Sequence, residues 1–317
     1  MDLLDVTDAA ARIDGWVRRT PLLDVAAGDE WLPSGGVVKL ELTQHTGTFK
    51  ARGAFNRILS ARERGELDPA VGVVAASGGN AGLANAYAAM RLGVPATVFV
   101  PRTAPAAKVA RLRSYGATVV AQGDEYAEAF DAAMRHVAET HGVYCHAYDQ
   151  PEVVAGAGTL GLELLAQFDA LDTAVDTVIV AVGGGGLVAG VATAVGDRLR
   201  VVGVEPANAA TMRAALAAGE PVDVPVSGVA ADSLGARRLG SIAWDVVGRH
   251  GVQSVLVDDD AIVAARRAVW DRYRMVVEHG AAAAVAAVTS GAYRPASGER
   301  IAVILCGANT DPSDLAH

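Results

Sequence analysis

The amino-acid sequence predicts an α/β protein that has two open parallel sheets with helices on both faces. Short runs of β-branched residues alternate with alanine-rich stretches of helical period, and this alternation is typical of the βαβ units that build parallel sheets. The alternation starts again after residues 144–147, so the chain contains two such series. A length of 317 residues is sufficient for two domains.

The first series begins with a helix over residues 8–18, which Thr7 can cap and the Thr20-Pro21 step ends. A strand over residues 37–42 then leads to a helix over residues 50–61. The remaining strands of this series are predicted at 71–76, 96–100 and 118–121, and the remaining helices at 79–91, 104–115 and 124–141.

The second series is predicted to contain strands at 177–182, 200–205, 253–257 and 300–305, with helices near 158–168, 187–195, 239–250, 260–274 and 281–288. No linker rich in Pro, Gly or Ser separates the two series. We therefore expect a small domain, residues 48–147, inserted into a large domain formed by residues 1–47 and 148–317. The active site is expected in the cleft between the two domains.

Composition argues against several classes of function. The net charge is −9 and no basic block is present, so neither nucleic acid nor a membrane surface is an expected partner. The uncharged stretch 177–196 has the length of a membrane span, but its four consecutive glycines predict a strand, a turn and a helix. Cys145 and Cys306 form no C-x-x-C motif, and the acidic N-terminus is not a secretory signal, so we expect a cytoplasmic protein.

The first candidate for chemistry is Lys50, which follows Phe49 and a Thr-Gly-Thr turn and opens a helical stretch with small or apolar neighbours. A desolvated lysine has a lowered pKa and attacks carbonyl groups as the free amine. The alternative is a helical lysine that faces solvent, and composition alone favours that interpretation.

The second candidate is the turn Ser77-Gly78-Gly79-Asn80-Ala81-Gly82, which lies between a predicted buried strand and a predicted helix. Backbone N–H groups at the positive end of a helix suit a carboxylate or a phosphate. The alternative is an ordinary turn in which Ser77 caps the helix. The turn alone favours neither interpretation.

A third candidate is the run of four glycines, Gly183 to Gly186, at the next strand-to-helix junction. Glycines let the backbone approach an anion closely, so a phosphate is the expected ligand. The same glycines fit the dinucleotide fingerprint with Ala189, and Glu205 stands where an acid would bind a ribose hydroxyl. As an isolated pattern, the nucleotide interpretation is the stronger one.

Two further candidate residues lie at the ends of predicted elements, Cys306 after a strand and Glu278 at the start of a helix. Cys306 ends the last predicted strand, where a cysteine is most often a small buried hydrophobe. Glu278 opens an alanine-rich helix, where a negative charge also stabilises the helix dipole. No histidine pair has metal-ligand spacing, and no G-x-S-x-G motif is present.

The motifs together resemble the serine/threonine dehydratase family of fold type II enzymes that depend on pyridoxal 5'-phosphate (PLP). The run Thr-Gly-Thr-Phe-Lys-Ala-Arg-Gly-Ala at residues 46–54 resembles the family signature S/T-F-K-x-R-G-A, the Ser77 turn resembles S-x-G-N-[AH]-G, and the glycine run resembles G-G-G-G-L. The resemblance extends over nearly the whole chain and implies a homodimer that acts on a small amino acid. The cysteine at residue 306 resembles the serine-dehydratase branch of the family, which carries a cysteine at the position that faces the pyridine nitrogen of PLP.

The resemblance also implies a role for each site residue. Lys50 would hold PLP as a Schiff base and act as the catalytic base, with Phe49 beside the ring and Cys306 at its nitrogen. Asn80 would bond the phenolic oxygen, and the phosphate would lie on Gly183, Gly184, Gly185, Gly186 and Leu187. The substrate would be held by Thr48, Ser77, Gly79, Asn80 and Ala81.

The predicted reaction is elimination of water from L-threonine, L-serine or both, which gives 2-oxobutanoate or pyruvate and ammonia. A serine racemase on the same scaffold and a nucleotide-binding protein that uses Gly184 and Glu205 are the alternatives. Racemases of this family carry a serine where this chain has Gly78, and this difference favours elimination. Relatives sometimes bind a metal near the Glu205-Pro206 pair. In this chain Ala209, Ala210 and Thr211 follow the pair and supply no second acidic ligand, so the sequence does not decide whether a metal binds.

Overall fold

The computed structural model describes residues 1–29, 32 and 35–315. These residues form strands β1 Leu22–Val25, β2 Gly36–Lys39, β3 Val73–Ala76, β4 Ala96–Val100, β5 Thr118–Ala121, β6 Val143–Tyr144, β7 Thr177–Ala181, β8 Arg200–Pro206, β9 Gln253–Val257 and β10 Ile301–Ile304. The helices are α1 Leu3–Ile13, α2 Lys50–Glu63, α3 Asn80–Leu92, α4 Ala106–Ser114, α5 Tyr126–Thr140, α6 Pro151–Ala170, α7 Gly186–Val195, α8 Thr211–Ala218, α9 Ala231–Leu234, α10 Ser241–His250, α11 Asp259–Tyr273 and α12 His279–Thr289.

The strands form two sheets, which confirms the predicted fold class. The six-stranded sheet has the order β1-β2-β10-β7-β8-β9, and the four-stranded sheet has the order β5-β4-β3-β6. The smaller sheet comes from chain between β2 and β7, so it is inserted into the larger one. The boundaries at residues 47/48 and 147/148 remain a prediction, because α2 packs against α3 of the smaller unit and against α6 of the larger one.

One strand pair departs from the parallel arrangement. All neighbours pair in parallel except β1 and β2, which are antiparallel and place Leu22 opposite Lys39. The connection between these two strands is short, and a short connection reverses the chain direction, whereas parallel neighbours need a longer crossover. The sequence analysis did not predict β1.

Several predicted boundaries were wrong. Helix α1 begins at Leu3 and not at residue 8, because Asp2 and Asp5 form a capping box and Thr7 donates to a carbonyl inside the helix. Helix α6 begins at Pro151, which suits the first helical turn, and not near residue 158. Helices α8 and α9 were not predicted. The other predicted strands and helices differ from the observed bounds by only a few residues.

A stack of three helices fixes the position of the cleft relative to the core. Helices α6 and α7 approach so closely that a Cβ atom on Gly190 would lie 2.5 Å from the backbone nitrogen of Gly158. Helix α2 meets α6 in the same way, since a Cβ on Gly156 would lie 2.7 Å from the Cα of Gly53. The stack holds the first residue of α2 in a fixed place relative to the first residue of α7. No helix of the described residues is long and apolar enough to cross a membrane.

Candidate active site

Lys50 is the first residue of α2, and the segment before it is paired with the end of the larger sheet. The backbone N–H of Phe49 donates to the Cys306 carbonyl at 3.1 Å, and Thr48 forms an isolated β-bridge with Gly307. The Thr48 hydroxyl accepts from the Lys50 N–H at 3.3 Å. These contacts place Lys50 opposite Cys306, although the two residues are far apart in sequence.

The Lys50 amine has few partners in the cleft. Its Nζ donates to the Ala147 carbonyl at 2.8 Å and lies 4.9 Å from the centroid of the Phe49 ring. Burial lowers the pKa of Lys50 to about 8, although Cys306 and Glu278 lie close enough to oppose the shift. The amine is therefore much closer to its reactive neutral form than an exposed lysine is.

A buried ionic cluster anchors the helix that begins at Lys50. Arg52 donates to Glu41 at 2.6 Å and to Glu163 at 2.8 Å, and Lys39 contacts Glu163 at 2.5 Å. Arg52, Lys39 and Glu41 are all almost completely buried. The cluster joins α2 to strand β2 and helix α6, so it fixes the start of α2.

The Ser77 turn lies between β3 and α3, as predicted, but Ser77 does not cap the helix. Gly79 is the N-cap residue, and its N–H donates to the Ser77 hydroxyl at 3.3 Å. The interpretation of Ser77 as an ordinary cap is therefore wrong. Helix α3 begins at Asn80, so this turn presents the positive end of the helix to the cleft.

Asn80 joins the smaller unit to the larger one. Its amide donates to both carboxylate oxygens of Glu278, at 3.1 and 2.9 Å, and its oxygen accepts from Asn309 at 2.8 Å. Asn309 also donates to the Thr46 carbonyl at 2.8 Å. Burial raises the pKa of Glu278 to about 7, against the opposing effect of the Asn80 hydrogen bond.

The glycine run forms the turn between β7 and α7. Gly185 is the N-cap residue and has a φ of 87°, a conformation that favours glycine. The Gly183 carbonyl accepts from Thr211 at 2.6 Å, and the Gly184 carbonyl accepts from the Gly240 N–H at 3.0 Å. The carbonyls are thereby held away from the helix end, where the first N–H groups of α7 have no intrahelical partner.

Any side chain at Gly184 or Gly185 would clash with a neighbouring residue. A Cβ on Gly184 would lie 2.4 Å from the ring of Tyr148, and one on Gly185 would lie 2.4 Å from the Cβ of Ala243. A phosphate on the N–H groups of this turn would therefore face bare backbone. The turn and the Lys50 amine, which can react with an aldehyde, fit a PLP molecule.

Cys306 is buried, with an exposed fraction of 3%. Burial raises the pKa of its thiol, so the group is neutral at physiological pH. A neutral thiol agrees with the predicted weak partner for a pyridine nitrogen.

Glu205 is already engaged within the larger unit. Its carboxylate accepts from the N–H groups of Met212 at 2.6 Å and Arg213 at 2.9 Å, at the start of α8, and the residue is fully buried. This carboxylate caps a helix and does not reach into the cleft, which argues against a ribose contact. Among the described residues, no group of three or more His, Cys, Asp or Glu side chains could hold a metal ion.

Most of the predicted site residues lie close together, either in contact or joined by one intervening residue. Lys50, Phe49, Thr48 and Cys306 lie together, Asn80 meets them through Glu278, and the turn that begins at Gly183 lies beside the Tyr148 loop that follows Ala147. The sequence analysis did not find Asn309, Ala147 or Tyr148. Asn309 follows Cys306 by three residues, which was the only local sign of its position, and Ala147 contributes a carbonyl that carries no side-chain signal.

Two parallel-sheet units with a lysine in the cleft between them define the class of fold type II PLP enzymes. The family model described as "Pyridoxal-phosphate dependent enzyme" matches residues 13–307. The chain therefore belongs to this family and depends on PLP. The family assignment decides against the nucleotide-binding alternative, whereas the predicted homodimer remains a prediction.

Similar proteins include eliminating and racemising enzymes. The chain is 40% identical to phenylserine dehydratase of Ralstonia pickettii, over 100% of this chain and 95% of that protein. It is 35% identical to L-threonine ammonia-lyase of Thermotoga maritima, over 98% of this chain and 76% of that protein. The solved structure of maize serine racemase matches with a TM-score of 0.90 and 32% identity, and the match covers 99% of this chain and 95% of that one.

Proposed function

We propose that this protein eliminates water from a β-hydroxy α-amino acid, with L-threonine and L-serine as the predicted substrates. The observation that carries this proposal is the Lys50 amine, whose pKa is lowered to about 8 and which lies opposite the neutral thiol of Cys306. Two similar proteins are named as a dehydratase and an ammonia-lyase, which supports the same reaction class.

In this proposal, each residue has a defined task. Bound PLP supplies an electron-withdrawing ring that makes the Cα–H bond of the substrate acidic. The N–H groups of the turn from Ser77 to Ala81 bind the substrate carboxylate, and Thr48 lies beside it. Lys50, as the free amine, removes the proton from Cα. The Cβ–O bond then breaks, and the departing hydroxide takes up one proton to leave as water, which balances the proton removed from Cα. Hydrolysis of the released enamine gives a 2-oxo acid and ammonia.

The hydrogen-bond network around Asn80 orients the site for this reaction. The carboxyl of Glu278 and the amide of Asn309 together fix both ends of the Asn80 side chain. An Asn80 side chain held in this way keeps one orientation, so it needs no ordering step during the reaction. The neutral Cys306 thiol leaves a ring nitrogen largely unprotonated, and this favours expulsion of the β-substituent.

The absence of a side chain at residue 78 favours elimination over racemisation. Inversion of Cα needs one group to take the proton on one face and a second group to deliver it on the other. Lys50 serves one face, and Gly78 offers no second group. A Cβ on Gly78 would lie 3.5 Å from Val100, an ordinary contact, so a serine side chain fits at this position.

The proposal is tested by following pyruvate and D-serine together during incubation with L-serine, with 2-oxobutanoate from L-threonine as a parallel measurement. We expect the 2-oxo acids to exceed D-serine clearly, and the Gly78→Ser variant to raise the D-serine share. Gly248→Ser is the control, because a Cβ there meets nothing within 4 Å and residue 248 is exposed in helix α10, outside the candidate site. D-serine formed as fast as pyruvate would overturn the proposal.

A further inference from the structure

Five aromatic side chains form a continuous row that leads to the cleft. The row consists of Tyr126, Phe130, Tyr144, His146 and Tyr148. Successive ring centroids are separated by 6.3, 6.1, 6.2 and 4.8 Å. These separations are within or near the range in which aromatic rings attract one another. Three of the four pairs are edge-to-face, so the aromatic row is a chain of ring contacts from the start of α5 to the loop after β6.

The inner end of the aromatic row borders the reactive groups. Tyr148 directly follows Ala147, whose carbonyl accepts from the Lys50 amine at 2.8 Å. The Tyr148 ring also lies against Gly184, at 2.4 Å from the position that a Cβ would take. Any substrate atom within reach of both Lys50 and the glycine turn is therefore close to Tyr148.

His146 adds an uncharged ring to this end of the aromatic row. Its Nδ1 accepts from the N–H of Tyr148 at 3.1 Å and from the N–H of Asp149 at 2.8 Å, so the imidazole is the neutral tautomer with its proton on Nε2. Burial lowers the pKa of His146 against the opposing effect of Asp149, and Lys50 lowers it further. A neutral imidazole packs against an apolar ring without the cost of burying a charge.

A cavity of about 230 Å³ lies beside these two rings. Its lining includes His146, Tyr148, Pro221, Leu239 and Gly240, together with the charged side chain of Arg238. Since Gly240 bonds the Gly184 carbonyl, the cavity adjoins the glycine turn. An apolar cavity of about 150 Å³ is sufficient for benzene, so this one has room for a six-membered ring.

The outer end of the aromatic row reaches solvent. Tyr126 is 53% exposed, and among the described residues no hydrogen-bond partner is seen for its hydroxyl or for that of Tyr144. The Tyr148 hydroxyl donates only weakly, to the Arg238 carbonyl at 3.3 Å. These three rings are therefore held mainly by packing, and a polar network does not fix their hydroxyl groups.

We propose that the inner end of the aromatic row and the adjoining cavity form a subsite for an aryl β-substituent, so that aryl-substituted β-hydroxy α-amino acids are the preferred substrates. This inference rests on the proposed function and names its substrate class. With 3-phenylserine, Lys50 takes the Cα proton, the Cβ–O bond breaks and water leaves. The enamine takes up a proton to form an imine, and water converts that imine to phenylpyruvate and ammonia, so no oxidant is needed.

The inference is tested by comparing kcat/KM of the holoenzyme for L-threo-3-phenylserine and L-threonine. A filled aryl subsite predicts a ratio above about ten in favour of phenylserine, since even one methylene in an apolar pocket gives that much discrimination. Tyr148→Leu is expected to lower the ratio roughly threefold to tenfold, the equivalent of one aromatic pair. Tyr115→Leu is the matched control, because Tyr115 is also half-buried but packs against Tyr87 at 5.5 Å in the smaller unit. A ratio of one or below, or equal ratios in the two variants, would overturn the inference.

A binding measurement separates this inference from the proposed function. L-phenylalanine and L-2-aminobutyrate lack the β-hydroxyl, so they bind without elimination. We expect the unmodified holoenzyme to bind L-phenylalanine more tightly, by at least about tenfold. A preference for L-phenylalanine without 2-oxo acid from any substrate would support the subsite and overturn the proposed elimination. Release of 2-oxobutanoate from L-threonine with no preference for L-phenylalanine would do the reverse.

Discussion

Lys50 differs from the other lysines of the chain in its surroundings. The sequence contains only Lys39, Lys50 and Lys108. Lys39 is held by Glu163 in the buried ionic cluster, and Lys108 pairs with Asp232 across the cleft, between α4 and α9. Lys50 donates to a neutral carbonyl, and no carboxylate lies within ion-pair distance of its amine in the part of the chain that the structure describes. Burial without a paired charge is the physical reason for its lowered pKa.

At this scale, we predict that capture of PLP by the cofactor-free protein depends on pH with a midpoint of about 8. Below that pH, Lys50 is protonated and cannot attack the aldehyde, so the rate falls as the pH falls through the folded-state pKa. The measurement is the rate of absorbance change after PLP is added between pH 6 and 10. Because the value for an ordinary lysine is about 10.4, a rate that still rose steeply above pH 10 would show that the Lys50 amine is not perturbed.

Sequence motifs can nominate candidate site residues, whereas the contacts that join residues far apart in the chain could not be predicted. Lys50 and the glycine run stand in recognisable patterns of neighbours. Asn309 meets Asn80 across 229 positions, and Glu278 meets Asn80 across 198. Nothing local in the sequence shows that two amides and a carboxyl will share one network, since their proximity depends on how the two sheets are placed.

At the scale of elements, helix α2 connects the buried ionic cluster to Lys50 and so fixes the position of that lysine. Its first residue is Lys50, and its third, Arg52, lies in the buried ionic cluster with Glu41 and Glu163. Each buried charge in this cluster is stabilised by an oppositely charged neighbour. Removing one member leaves an unpaired buried charge, which destabilises the fold. The cluster therefore fixes α2 but makes its stability sensitive to the loss of a single member.

We predict that Arg52→Met lowers the free energy of unfolding by about 3–5 kcal/mol, because Glu41 then stays buried without an ion-pair partner and Glu163 keeps only Lys39. Arg64→Met is the matched control directly after the end of α2, where the side chain is 42% exposed and bonds Glu66 and Glu152. It is expected to cost less than about 1 kcal/mol, as exposed ion pairs do. Urea unfolding of both variants gives the comparison, and equal losses would contradict the anchoring role of the cluster.

The elements themselves were largely predictable because their period is local. Strands β4, β5 and β9 have the bounds that their β-branched runs predict. Strand β1 and helix α8 were missed for different reasons. Strand β1 is a short edge strand whose partner is antiparallel. Helix α8 depends on the buried carboxylate of Glu205, on the preceding strand, to satisfy its first N–H groups.

At the scale of the whole molecule, the two sheet units meet at the proposed site through several polar contacts. Asn80 of the smaller unit bonds Glu278 and Asn309 of the larger one, and Lys108 pairs with Asp232 nearby. Each unit alone supplies only part of the proposed site: the Ser77 turn belongs to the smaller unit, and the glycine turn and Cys306 belong to the larger one. The arrangement of the units is thus what brings the motifs to one place.

The central claim is that Lys50 carries the cofactor in this cleft, and borohydride reduction of the holoenzyme followed by peptide mapping tests it most directly. With only three lysines in the chain, each outcome is distinct. We predict that the pyridoxyl group is found on the peptide that contains Lys50, and that the Lys50→Ala variant has no reducible cofactor. A pyridoxyl group on Lys39 or Lys108, or on no lysine, would contradict the account.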